Sequence, residues 1–239
     1  MLSEGAGMRL HLPAFAALAL LAAAPVDAAT RTFTVTGFDR IRVDGPYRVK
    51  LTTGVAPFAS AEGSAAALDA VSLEVQGRTL IIRREASLPS STAAQPTGPV
   101  TVSVGTHDIT AAWINGSGGL AINAVKAQSF ELAVSGSGAA EVGKIAVDRL
   151  RVSVTGSASV ALGGAAEAAS FSLRGPSAVD AEALSAKAAT IAADGATRIK
   201  LTATDTAKVD ANGLATVELA GRPACTVRPT STAEVIGCR

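Results

Sequence analysis

Ile114-Asn115-Gly116-Ser117-Gly118 is followed twenty residues later by Val134-Ser135-Gly136-Ser137-Gly138, and twenty after that by Val154-Thr155-Gly156-Ser157. Looser copies continue at Arg174-Gly175-Pro176, Asp194-Gly195-Ala196 and Asn212-Gly213-Leu214, and an earlier one stands at Asp44-Gly45-Pro46. From Gly116 the glycine spacings are 20, 20, 19, 20 and 18 residues. A period in this range marks a coil of repeated units.

Apolar residues fall at fixed offsets around each glycine. Four and six positions after it stand Val49 and Leu51, Leu120 and Ile122, Ala140 and Val142, Val160 and Leu162, Val179 and Ala181, Ile199 and Leu201, and Val217 and Leu219. The same alternation runs back from the glycine through pairs such as Leu132 and Val134, or Val152 and Val154. Period-two alternation is the pattern of a strand with one buried face, so each unit predicts strand, glycine corner, strand. A single unit cannot bury its apolar face, whereas coils stacked in register pair their strands in parallel at a spacing of about 4.8 Å. A hairpin meander competes, because Asn-Gly and Asp-Gly also suit two-residue turns; the near-constant unit length and the identical offsets favour the coil. Gly45, Gly116, Gly136, Gly156, Gly175, Gly195 and Gly213 are thus predicted corner residues, where a sharp bend asks for a positive φ. The expected fold is all-β, a parallel β-solenoid with rungs of about 20 residues.

The first residues read differently. Arg9, an apolar run from Leu12 to Pro25 and then Val26-Asp27-Ala28 predict a signal peptide over 1–28, cleaved after Ala28, with Met8 as an alternative start. The apolar run is shorter than the roughly 20 residues of a membrane span, and no other stretch resembles one, so the mature chain is expected to be exported, to the periplasm or the cell surface, without membrane insertion. Residues 29–239 then form one solenoid domain, with irregular N-terminal coils and a cap over 30–100 and regular coils over 101–239. Within the irregular part, Ser64 to Asp69 predicts a helical turn, and Val71 to Val75 with Thr79 to Arg83 a hairpin. The Ser-, Pro-, Thr- and Ala-rich stretch 86–99 predicts a mobile loop.

Lysine and arginine total 21 against 20 acidic residues, with no basic cluster along the chain. Nucleic acid is therefore not an expected partner. Six Phe, one Tyr and one Trp leave a core of small and β-branched side chains, suited to a narrow interior. Cys225 and Cys238 are the only cysteines; in an exported chain such a pair predicts a disulfide, and a metal site there lacks two further ligands.

The opening Phe33-Thr34-Val35-Thr36-Gly37-Phe38-Asp39-Arg40-Ile41, the strand around Leu80-Ile81-Ile82 and the successive Gly-Ser-Gly corners resemble the bacterial family of auto-transporter adhesin head domains, the head GIN domain, over about 32–219. The resemblance implies a right-handed parallel β-helix, similar in shape to pectate lyases but without their catalytic residues, and a role in adhesion or surface interaction. Arg174-Gly175-Pro176 and Asn212-Gly213-Leu214 depart from the Gly-Ser-Gly form.

No constellation specifies a reaction, a cofactor or a metal. His107 is the one histidine of the mature chain and reads as a surface turn residue rather than a member of a catalytic triad. Asp44, Asp194 and Asp210 lie on different levels, and Asp or Asn beside Gly has a turn role of its own. Gly-Ser-Gly lacks the helix start and lysine of a phosphate loop. The outward residues Asn115, Ser135 and Thr155 would form an amide and hydroxyl ladder able to bind a glycan, with Trp113 either a stacking platform beside them or packed under the N-terminal cap. The leading expectation is a non-enzymatic adhesin or envelope interaction module whose partner is a glycan or an envelope protein. A polysaccharide-acting enzyme using Asp194 or Asp210 is one alternative. A self-associating element using the strip Ala133, Ser153, Ser172 and Ala192 is another, and the oligomeric state stays open.

Overall fold

The computed structural model describes residues 29–85, 98–229 and 232–238. The predicted signal peptide, and residues 86–97 of the predicted mobile loop, lie outside the described residues. Along the chain the elements are β1 (Ala29–Phe33), β2 (Arg40–Asp44), β3 (Arg48–Thr53), β4 (Phe58–Gly63), α1 (Ala65–Asp69), β5 (Val71–Gln76), β6 (Thr79–Arg84), β7 (Thr101–Thr106) and β8 (Ala111–Gly116). Five long strands follow: β9 (Gly119–Gly136), β10 (Ala139–Gly156), β11 (Ser159–Arg174), β12 (Ala178–Asp194) and β13 (Arg198–Asn212). The chain closes with β14 (Thr216–Ala220), β15 (Ala224–Pro229) and β16 (Glu234–Ile236).

Each long strand pairs in parallel with the next, Ala140 beside Val160 and Val160 beside Val179. Parallel pairing one repeat apart is what a coil requires and a meander forbids, so the fold is a parallel β-solenoid of about six turns. Between glycine corners the strand is nearly continuous, yet it bends twice more. In β10 the buried residues are Ala140 and Val142, then Ile145 and Val147, then Leu150, Val152 and Val154. Two outward pairs, Gly143-Lys144 and Asp148-Arg149, break the alternation. Each pair resets the phase of a period-two pattern, so every regular turn has three walls. Strand, corner, strand describes only two of them; at the bends of the third wall a glycine recurs in just two successive turns, Gly143 and Gly163.

Inside, like stacks on like. Ile114, Val134, Val154 and Leu173 form one inward column and Leu51, Ile122, Val142 and Leu162 another. A third column narrows along the rod, from Phe130 through Leu150 to Ala169, Ala189 and Ala207. Phe171, almost fully buried two positions beyond Ala169, supplies bulk where that column has thinned.

The corner itself is packed backbone on backbone. Gly156 has φ +109°, and a Cβ built there would overlap the carbonyl oxygen of Gly136. The corners also share hydrogen bonds, Ser137 N–H donating to Gly116 O at 3.0 Å and Ser157 N–H to Gly136 O at 2.8 Å.

At the N-terminal end, stacking order differs from chain order. β2 and β3 lie between β6 and β7 on one side and β8 and β9 on the other, since β2 pairs with both β6 and β8, and β3 with both β7 and β9. The chain therefore does not add its first coils one after another. After β3 it steps outward through β4, antiparallel to β7, then α1 and the β5–β6 hairpin. The outermost strands, β1 and β5, pair antiparallel with β4 and β6. Ser64 caps α1 by accepting from Ala67 N–H. Phe58, 43% exposed, lies across the sheet from Gly105, where any side chain would run into its ring.

At the opposite end Cys225, in β15, is bonded to Cys238, just beyond β16, with Cα atoms 5.5 Å apart. β15 pairs with β13 and β16 with β14, so the bond links the last strands of two walls. Among the described residues no helix is long and apolar enough to cross a membrane.

Two glycines separate the cost of the corner's backbone angle from the cost of its close packing. Gly54, φ +78° with nothing within 4 Å of where a Cβ would stand, should lose only about 1 kcal/mol on substitution by Ala. Gly156→Val, which adds a backbone clash, should lose at least about 3 kcal/mol; equal denaturation midpoints for the two variants would contradict the stacked corner. Reducing the disulfide should lower stability by about 3 kcal/mol, read as a shift in the same denaturation curve. The single tyrosine, Tyr47, is buried over the first corner, and burial raises its pKa above 10.0 although Arg84 pulls it partly back. Because the folded value exceeds the unfolded one, the contribution of Tyr47 to stability is constant below about pH 10 and falls as pH rises beyond it; a tyrosinate absorbance titration should give a higher midpoint in buffer than in denaturant.

Candidate binding face

On the wall that runs into the glycine corner, parallel register sorts the outward side chains into three columns. Nearest the corner stand Asp44, Asn115, Ser135, Thr155, Arg174, Asp194 and Asn212. The middle column holds Arg42, Trp113, Ala133, Ser153, Ser172, Ala192 and Asp210. The far column holds Arg40, Ala111, Glu131, Arg151, Ser170, Thr190 and Lys208. Neighbours in a column are one strand spacing apart, about 4.8 Å.

Trp113 is half-buried on this outer surface, next to Arg42 of β2 and beside Gln76, Thr79 and Ile81 of the N-terminal cap. It lines two depressions. One, of 520 Å³, is bounded by Arg40, Thr110, Ala111, Ser129, Phe130, Glu131, Arg149 and Arg151; the other, of 400 Å³, by Arg42, Gln76, Thr79, Ile81 and Asn115. From Trp113 towards the C-terminal end, the middle column continues as Ala133, Ser153, Ser172 and Ala192, a run of small side chains that leaves the wall low between its flanking columns.

Asn115, Ser135 and Thr155 are exposed and stacked in consecutive turns, but they are not equivalent. Asn115 donates from Nδ2 to Asp44 Oδ1 at 2.6 Å, and Asp44 is also held by Arg42 at 2.7 Å. Ser135 and Thr155 have no side-chain hydrogen-bond partner among the described residues and present free hydroxyls. The Gly-Ser-Gly backbone is committed within the stack on both sides: the Ser137 and Ser157 amides donate to the preceding corner, and the carbonyls of Gly118 and Gly138 accept from Ala139 N–H at 2.9 Å and Ser159 N–H at 3.2 Å. A Cβ at Gly118 would lie 2.5 Å from Gly45 O, which accounts for the second glycine of the motif by close packing.

The carboxylates of the wall are held apart by register. Asp194 is in register with Arg174 and Asn212, Asp210 with Ala192 and Arg228. His107 is exposed at a separate depression with Asp39, Arg78 and Asp108, where Asp39 is paired with Arg78 at 2.9 Å. Among the described residues no three His, Cys, Asp or Glu side chains are grouped to hold a metal ion.

Along the chain there is no basic cluster, but coiling makes one. Arg40, Arg149 and Arg151, more than a hundred residues apart at the extremes, reach the same depression beside Trp113. The signal available in the sequence is the position five residues before each corner glycine, occupied by Arg40, Glu131 and Arg151.

No curated protein matches the chain by sequence. Solved structures share its fold. A protein of Bacteroides fragilis NCTC 9343 described as a putative adhesin superposes with a TM-score of 0.77 at 16% identity, covering 88% of this chain and 96% of that one. A Parabacteroides distasonis ATCC 8503 protein described as a putative lipid binding protein gives 0.69 at 19% identity, covering 89% and 97%. One from Parabacteroides merdae ATCC 43184, described as a putative adhesin, gives 0.63 at 15% identity, covering 89% and 96%. At these identities the likeness is one of fold. The family model described as "Putative auto-transporter adhesin, head GIN domain" matches residues 37–223, and the chain belongs to that family.

Proposed function

We propose that this protein is an exported, non-enzymatic interaction module whose Trp113-bearing wall binds glycan, at the cell surface or within the envelope. The observation that carries the reading is the placement of Trp113, half-buried and fixed by β-sheet register at the head of a low strip of small residues. An indole held in a sheet offers a rigid apolar plane for the face of a sugar ring at little entropic cost. The free hydroxyls of Ser135 and Thr155 lie one column away and two turns deep, where they would meet ring hydroxyls. Asn115 contributes less, because its amide is committed to Asp44.

Glycoside hydrolysis needs two carboxyl groups facing one bond within about 10 Å. Asp44 is held by Arg42 and Asn115; Asp194 and Asp210 are diagonal neighbours on adjacent turns, about 7–8 Å apart, and are the pair whose substitution by Asn tests the alternative of a polysaccharide-acting enzyme. The membership of the adhesin family and the fold shared with adhesin-named proteins agree with an exported, surface-directed role.

Glycan-array binding of the chain from residue 29 onward, beside Trp113→Ala, tests the proposal. The variant should keep its melting midpoint within a few degrees, since the ring is only half-buried, and lose at least about tenfold in affinity. Glycan binding that survives the substitution, or no binding to any glycan, would contradict it.

A further inference from the structure

We infer that the larger depression beside Trp113 is a subsite for a saccharide ring carrying a carboxylate, a uronic acid unit within a longer chain. The inference rests on the glycan-binding reading of the wall and adds the charge of its ligand. Arg40, Arg149 and Arg151 converge there against one carboxylate, Glu131. Arg149 and Arg151 have no ion-pair partner among the described residues. Glu131 is the register neighbour of Arg151 yet is not paired with it. Arg40 comes no closer than 3.9 Å to Asp39, a carboxylate already held by Arg78 at 2.9 Å. Three guanidinium groups are thus left with unfilled donors around a tryptophan.

Like charges gathered without partners repel one another, so an anion entering the depression removes repulsion as well as gaining hydrogen bonds. A guanidinium presents its donors as a planar fork that matches a carboxylate. The indole alongside would take the ring face, as Ser129 on the rim would take a hydroxyl. The 520 Å³ volume lies within the usual range of small-ligand sites, about 300–1,000 Å³, and suits a short stretch of saccharide.

The charge is local, which argues for a saccharide subsite over a phosphate polymer or a membrane surface. Beyond Arg151 its column continues as Ser170 and Thr190 before the next cation, Lys208, three turns on, and the column beside it as Ser153, Ser172 and Ala192, with Arg174 the one cation of the column nearest the corner. A polymer with a phosphate at every unit, or an anionic bilayer, calls for basic groups recurring along the face. A uronate-containing chain needs one cationic pocket followed by neutral hydroxyls.

The experiment is calorimetric titration with a xylo-oligosaccharide bearing a single glucuronic acid and with a hyaluronan tetrasaccharide, their carboxyl-reduced neutral counterparts, and phosphatidylglycerol vesicles. The proteins are the wild-type chain, Trp113→Ala and the Arg149→Gln/Arg151→Gln double variant. The expected result is that an acidic oligomer binds at least about tenfold tighter than its neutral counterpart, and that the double variant loses this preference while retaining neutral binding. Both arginines are exposed, so the double variant should melt with the wild type. Equal binding of acidic and neutral forms would overturn this inference and leave the glycan-binding reading standing. No binding of either would overturn both. Vesicle binding lost in the double variant, with no oligomer bound, would overturn the saccharide assignment in favour of a lipid headgroup.

Discussion

Everything in this rod depends on how closely successive glycine corners approach. At Gly156 the neighbouring carbonyl occupies the space a Cβ would need, so the turns can stack at strand spacing only if the corner has no side chain. That contact locks each turn to the next at one point, and hydrogen bonds between corners hold it there. Once the corner is fixed, register along the whole wall is fixed with it. A slip by one residue would send every inward valine and leucine to the outside.

The same constraint makes the surface readable. Identical spacing from the corner becomes identical position on the wall, so Trp113, Ala133 and Ser153 line up although twenty residues separate each from the next in sequence. Side chains on neighbouring turns, remote along the chain, act as one surface. A solenoid can therefore assemble a pocket from residues that no local motif connects, and the arginines around Trp113 are such a case. Its net charge of +1 conceals a concentration of positive charge at one place.

The corner glycines and the flanking apolar pairs were legible because each repeats at every turn. The third wall was not, since its bends use different residues from turn to turn, Gly143-Lys144 in one and Glu182-Ala183 in another. The exchange of stacking order near the N-terminus also left no sequence signal. β2 reads like any other strand before a corner, and only its pairing with both β6 and β8 shows it inserted between later turns. The ladder of Asn115, Ser135 and Thr155 was predicted by spacing, but the bond from Asn115 to Asp44 depends on a turn 71 residues away.

The stacked parallel coil is most directly tested by a spin-label distance between positions 135 and 212, the residues just before the first and last of five consecutive corners. Stacked turns place them four strand spacings apart, about 19 Å. An antiparallel meander, with two strands per repeat, would place them about 38 Å apart. A distribution centred near the shorter value is the predicted result; one centred near the longer value would contradict the parallel coil and the shared pocket built on it.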